Sequence, residues 1–260
     1  MNLSPILLFV YNRPAHTRRC IESLSRNLLA VESELFIYAD GAKDQTVADE
    51  VEEVRQYIRS IQGFKKVTLI ERNENWGLAR NIIDGVSTQV QKYGKVIVLE
   101  DDLVVAPHFL RFMNDALETY QDEPKVGHIQ ACEFTQDASL PDTFLIKWTG
   151  SWGWATWERA WKHFNPNGKE LLQELEARKL TYTFDFNGKY GFTRMLRRQI
   201  EGKKQFLGHP LECVLVPEGH PFTQCGPFIG TKRGVRWQRN QLRRWMTLCV
   251  PPASGALACT

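Results

Sequence analysis

Short apolar runs alternate with stretches of helical spacing through the first half of this chain, and that order restricts the fold more than any single motif. Residues 6–10 (ILLFV), 35–38, 67–70 and 96–99 read as buried strands. Between them, residues 15–28, 47–61 and 77–93 place apolar side chains at i, i+3, i+4 and i+7, the period of a helix with one buried face. Residues 108–120 read as a further helix and 128–131 as a short strand. A β-α-β-α-β-α-β order implies an α/β fold with a Rossmann-like, mostly parallel central sheet and helices on both faces. No internal repeat or low-complexity segment interrupts it.

Each strand runs into polar residues: Tyr11-Asn12-Arg13-Pro14, Asp40-Gly41-Ala42-Lys43-Asp44, Glu71-Arg72-Asn73-Glu74-Asn75-Trp76-Gly77 and Glu100-Asp101-Asp102. In a parallel sheet these four ends lie on one edge, where ligands of open α/β sheets bind. The acid triplet is the sharpest of them. Strand alternation predicts Glu100 and Asp102 leaning one way and Asp101 the other. Three adjacent carboxylates repel unless a positive group stands among them, and a divalent cation with its preference for oxygen ligands would serve. The bland alternative is an acidic turn with Asp102 capping the next segment. Asp40-Gly41 likewise reads as a plain turn when taken alone, and Arg80 as a solvated helix charge.

At 260 residues and 43% apolar content the chain suits one α/β domain, or one with a small addition. No run approaches the ~18 apolar residues of a membrane span. Met1-Asn2-Leu3-Ser4-Pro5 carries no basic n-region or cleavage site, so a cytoplasmic protein is expected, without a signal peptide. Six irregularly spaced cysteines make no disulfide framework. The charge is uneven: residues 205–260 hold six Lys/Arg and two Asp/Glu, against 27 and 28 in residues 1–204. The same tail has four of the six Cys, six of the 12 Pro, and no Asp or Tyr.

Taken together, YNRP, DGAKD, NENWGLARN, EDD and the later segment Gly150-Ser151-Trp152-Gly153-Trp154-Ala155-Thr156-Trp157 resemble the GT-A-fold glycosyltransferases, in particular family 2-like bacterial sugar transferases. The resemblance covers residues 5–204. EDD stands in place of the more usual DxD and is similar to the triplet of eukaryotic N-acetylglucosaminyltransferase I. It implies a nucleotide-sugar-binding half (1–132) and an acceptor-side half (133–204). Under it, Asp40 would accept from the base edge, usually uracil, and Tyr11, Asn12 and Arg13 would line the nucleotide pocket. Arg80 would meet the diphosphate. Glu100 and Asp101 would face sugar and ribose hydroxyls, and Asp102 would ligate Mn²⁺ or Mg²⁺. An inverting member also needs a carboxylate base; Glu133 is the one candidate in its region, with a surface acid as the plainer reading. The implied partners are a nucleotide-sugar donor and a glycan or lipid-linked acceptor at the inner face of the membrane, which would make the protein peripheral there, and no nucleic acid.

Five tryptophans, Trp148, Trp152, Trp154, Trp157 and Trp161, cluster here. Trp152 is the candidate acceptor platform, since sugars offer apolar faces to an indole. Trp154, Trp157 and Trp161 have the spacing of one buried helix face, and Trp157 and Trp161 are expected in the core. His209, Cys213, His220 and Cys225 match no common zinc spacing.

Two other readings compete. A sugar-phosphate nucleotidyltransferase would share sheet and metal, but the loop after the first strand has no glycine. A catalytically dead nucleotide- or carbohydrate-binding protein would keep the pocket alone. The tail adds a further expectation. Gly202-Lys203-Lys204-Gln205 is codable with a run of six adenines, and loss of one base permits NSSWAIR, WNASLFLK and SLVQNEGFDGSG downstream. Residues 205–260 are therefore expected to be a frameshifted, poorly ordered tail that truncates the acceptor half and weakens or abolishes transfer; the rival is a genuine Cys- and Pro-rich extension.

Overall fold

The computed structural model describes residues 2–131, 143–144, 149–202 and 230–231. The elements run β1 (Ile6–Val10), α1 (Pro14–Ser25), β2 (Glu34–Ala39), α2 (Ala48–Ile58), β3 (Lys66–Glu71), α3 (Leu78–Tyr93), β4 (Lys95–Glu100), α4 (Phe109–Thr119), β5 (His128–Gln130), β6 (Thr143–Phe144), β7 (Trp154–Trp157), α5 (Glu158–Trp161), α6 (Gly168–Ala177), α7 (Thr181–Phe184), α8 (Phe192–Ile200) and β8 (Gly230–Thr231). Six strands form the central sheet in the order β3-β2-β1-β4-β7-β5. β1 to β4 pair in parallel, and β7 enters antiparallel between β4 and β5. The α/β expectation is met, with a mostly parallel sheet covered on both faces. β6 and β8 pair separately. The rest of the tail, including its expected frameshift and the His209–Cys225 set, lies outside the described residues, as do Glu133 and Trp148.

Alternation along the strands divides the core into two layers. Ile6, Leu8 and Val10 of β1, with Ile97 and Leu99 of β4, pack with α1, α2 and α4 on one face. Leu7, Phe9, Val96 and Val98 point the other way, onto Ile82, Val86 and Val90 of α3 and Trp161 of α5. Each such side chain, fully buried, contributes roughly 1.5–3 kcal/mol. Helix α3 can approach this closely because residue 85 is glycine: a Cβ there would sit 2.9 Å from both the Phe9 and Tyr38 rings.

Two local expectations are corrected. The first helix stops at Ser25 rather than 28, and Leu28, expected on its apolar face, is 53% exposed. Asn27 ends it: its amide donates to the carbonyls of Ser23 and Ala106 and its oxygen accepts from Leu110 N, tying the chain to the segment before α4. Trp154 and Trp157 lie on strand β7, not on a helix with Trp161. All three are nonetheless buried, so the expected core placement of Trp157 and Trp161 holds. No helix among the described residues is long and apolar enough to cross a membrane.

Candidate functional site

The parallel sheet brings the ends of β1, β2, β3 and β4 to one edge, and their loops are interlocked there. Asp40, 6% exposed, follows β2. Its Oδ1 accepts from the backbone N–H of Gly41 (2.9 Å) and Trp76 (2.8 Å); its Oδ2 accepts from Gly77 N–H (2.9 Å) and Asn75 Nδ2 (3.1 Å). A carboxylate offers about four lone-pair positions, and all four are filled, so a base reaching Asp40 must displace one of these donors. Glycine at 41 is required by the same closure: a Cβ would lie 2.8 Å from Glu74 Cα, against backbone that cannot rotate aside. The loop after β2 and the loop after β3 are thus one wall.

Trp76 stands on that wall between two guanidinium groups, with Arg72 3.7 Å and Arg80 3.8 Å from its ring centroid. Arg72 is anchored by Asn81 Oδ1 at 3.0 Å and by an ion pair with Asp84. Arg80, with a 60% exposed side chain, adds to its Trp76 contact only a long 3.9 Å pair with Glu74 among the described residues. A cavity of about 550 Å³ opens beside them along α3, lined in part by Trp76, Arg80, Ile83 and Asp84.

The acid triplet departs from its expected geometry. Strand β4 ends at Glu100, and residues 101–102 turn, so alternation no longer holds. Asp101 and Asp102 both face Arg13 instead of opposing one another. The Arg13 guanidinium pairs with Asp101 through Nη2 and with Asp102 Oδ2 through Nη1 at 3.2 Å. The positive group among the acids is therefore a side chain of this chain. Burial would lower the Arg13 pKa, but Asp101 and Asp102 outweigh it and raise the value. Asp101, 2% exposed, is raised by burial in spite of Arg13. Glu100 is pushed up to about 8, first by burial and then by repulsion from Asp102 and Asp101.

Other expected residues reach the same edge. Tyr11 Oη accepts from Lys43 N–H at 3.1 Å, linking the loops after β1 and β2, and Asn12 is half-buried beside it. In the antiparallel pairing Val98 meets Trp154, so continuing the register brings residue 152 level with Glu100. Trp152 is half-buried and packs on the core there. Sequence reasoning assigned no role to Asn75, Trp76 or Arg72. An Asn-Glu-Asn-Trp-Gly loop directly after a strand was their signal, but the Asp40 partner 35 residues earlier was not visible.

No group of three or more His, Cys, Asp or Glu side chains among the described residues converges as a ready metal cage. The donor set still fits Mn²⁺ or Mg²⁺. Such ions bind through one or two carboxylates plus substrate phosphates, and Asp102 presents a partly exposed carboxylate with only Oδ2 engaged by Arg13.

Comparison with solved structures finds S. aureus TarS (16% identity, TM-score 0.35, covering 54% of this chain and 23% of that one) and its 1–349 fragment (16%, 0.41, 62% and 48%). It also finds the mannosyltransferase PcManGT from Pyrobaculum calidifontis, solved with GDP-Man and Mn²⁺ (14%, 0.43, 66% and 46%). The chain spans less than half the length of each. No curated protein sequence matches it. The sequence pattern described as glycosyl transferase family 2 matches residues 6–202, from the first strand through the last helix of the sheet domain, and the chain belongs to that family.

Proposed function

We propose that the chain moves a sugar from a nucleotide-linked donor, with uridine diphosphate as leaving group, to a glycan or lipid-linked acceptor, with Mn²⁺ or Mg²⁺ at Asp102. The observation that carries the reading is the single edge on which the Asp40 wall, the Arg13-held acids and residue 152 come together. A bound cation would neutralise charge on the departing diphosphate. The chain's own residues do the rest. Tyr11, Asn12 and the wall built on Asp40 hold the base. Arg80, exposed and with only a long acidic contact, meets the diphosphate with its guanidinium. Glu100 and Asp101 meet donor hydroxyls. Without a cation, burial and the neighbouring acids push the Glu100 pKa up to about 8; a cation at Asp102 would favour its carboxylate, which accepts hydrogen bonds from those hydroxyls. Trp152 offers an apolar face to the acceptor, and Glu133 is the proposed base.

The experiment is a thermal-shift series with uridine diphosphate and its sugars, with and without Mn²⁺, followed by donor hydrolysis. Wild type should be stabilised by nucleotide only when metal is present, and Asp102→Ala should lose that dependence while keeping its fold. Unchanged metal-dependent binding in Asp102→Ala would sink the assignment. Binding without hydrolysis or transfer would favour a nucleotide-binding protein, the outcome expected if residues 205–260 are frameshifted; resequencing the adenine run separates the causes.

A further inference from the structure

Residues 178–200 contain six Lys/Arg and one Asp/Glu, whereas the other residues up to 204 contain 21 and 27. The basic run is therefore set in an acidic domain, and two of its six cations, Arg178 and Arg197, are paired with Glu174 and Glu176 of α6. Helix α8 buries Phe192, Thr193 and Leu196. At about 100° per residue, Arg194 and Arg198 point directly away from that face, and both are exposed. Arg197 is turned sideways onto Glu176 of α6 at 2.7 Å. Arg194, Arg198, Lys179 and Lys189 have no acidic partner among the described residues.

Aromatic side chains project beside these charges. Tyr182 is 65% exposed and Phe186 38%, two of the four large exposed apolar side chains among the described residues. Tyr182 and Arg194 reach the loop between α7 and α8 from its two sides, and Phe186 packs at its base. The rings of Phe186 and Tyr190 lie 5.6 Å and 4.2 Å from the Phe192 ring. Tyr182 lies against Gly188, and the Arg194 guanidinium lies back along Gly191. The loop holds this shape with three successive left-handed residues, Phe186, Asn187 and Gly188 (φ 51°, 56° and 77°). A phenylalanine rarely adopts such a φ, so the loop keeps an exposed ring in an unfavourable backbone.

We propose that the α7–α8 face, Tyr182, Phe186, Lys189, Arg194 and Arg198, docks the protein on an anionic lipid surface. The cations provide long-range attraction, since each basic residue near such a surface contributes roughly fivefold in partitioning. Tyr182 sits at headgroup level, where amphipathic aromatics concentrate, and Phe186 adds apolar area at the acyl boundary. A soluble polyanion would use the charges but gain little from Tyr182 and Phe186, so the combination favours a membrane. The inference rests on this surface alone and stands independently of the donor, metal and reaction assigned above.

The test is co-sedimentation of the full chain with phosphatidylcholine vesicles, with and without phosphatidylglycerol. Binding should require phosphatidylglycerol, weaken as salt is raised, fall at least tenfold in Arg194→Glu/Arg198→Glu, and fall several-fold in Tyr182→Ser/Phe186→Ser. Circular dichroism of each variant should match wild type; melting temperature should be unchanged in the arginine variant and fall slightly in Tyr182→Ser/Phe186→Ser, where Phe186 gives up its contact with Phe192. Absence of binding at low salt overturns the proposal. So does equal binding by the charge-reversal variant, which would assign it to the basic tail. Wild-type binding by Tyr182→Ser/Phe186→Ser, with dextran sulfate competing as well as lipid, would assign the face to a soluble polyanion.

Discussion

At the ends of β1–β4 side chains meet through charges and hydrogen bonds; across β5, β7 and α5 they meet through rings. On the first side Asp40 holds four donors and Arg13 holds two carboxylates. On the second, His128, Trp154, Trp161 and Phe164 stack in a column, with centroids 5.3, 6.1 and 4.4 Å apart. The polar edge fixes loops whose backbone has no ladder to join. The aromatic column fixes a strand inserted antiparallel at the flank of a parallel sheet. Polar clamps lose function and stability together when one member goes, because partners are left unpaired. A ring column tolerates change that preserves volume.

The largest effect should come from the column. Trp154 is 1% exposed, and Trp154→Ala should cost about 3–5 kcal/mol in urea unfolding. Trp154→Phe should cost under about 1.5 kcal/mol. The indole N–H is buried without a partner among the described residues, so its removal leaves no acceptor stranded. A large loss in the Phe variant would show that the column depends on something other than volume.

Asp40→Ala is expected next, at about 3 kcal/mol, since two backbone N–H groups of the β3 loop and the Asn75 amide lose a charged acceptor. Melting temperature and uridine diphosphate binding should fall together. Loss of binding at unchanged stability would return Asp40 to direct contact with the base and break the contrast drawn here.

Why these contacts were not all legible is a matter of range. Periodicity located β1–β4 and their helices, because burial on both faces of a parallel sheet writes itself as apolar runs. It also located the acids. It misplaced Asp101 relative to Asp102 because the strand rule was applied two residues into a turn. It misread Trp154 and Trp157 because a four-residue strand, WATW, also satisfies i, i+3 spacing. The Asp40 clamp and the Arg13–Asp101 pair join residues 35–37 and 88 positions apart, and no local pattern reports such pairings.

The two regions should also titrate in opposite senses in metal-free protein. His128 is held down to about 3 by burial, against 6.5 ordinarily. The unfolded chain binds its proton first, so stability present above pH 6.5 is lost as pH falls towards 3. Glu100, about 8 against 4.5, does the reverse: its contribution is complete below 4.5 and is lost as pH rises to 8. Each slope approaches about 1.4 kcal/mol per pH unit. Between about 4.5 and 6.5 they oppose, so each offsets much of the other's slope in wild type. His128→Gln should gain stability on acidification there, and Glu100→Gln should lose it. Parallel curves for the two variants would dismiss the opposition.

The smallest effect tests whether Arg13 stands where a cation would. Its side chain is 41% exposed, so the ion pairs are partly screened and Arg13→Met should cost only about 1–2 kcal/mol without metal. The variant leaves Asp101 and Asp102 facing each other with no positive group between them, and repulsion between them is then relieved only by an added ion. Mn²⁺ alone should therefore raise the melting temperature of Arg13→Met more than that of wild type, where the ion must compete with the guanidinium for Asp102. Asp102→Ala in the same background should erase the extra shift. Equal Mn²⁺ shifts in wild type and Arg13→Met would mean that the ion, if bound, sits away from the acids that Arg13 holds.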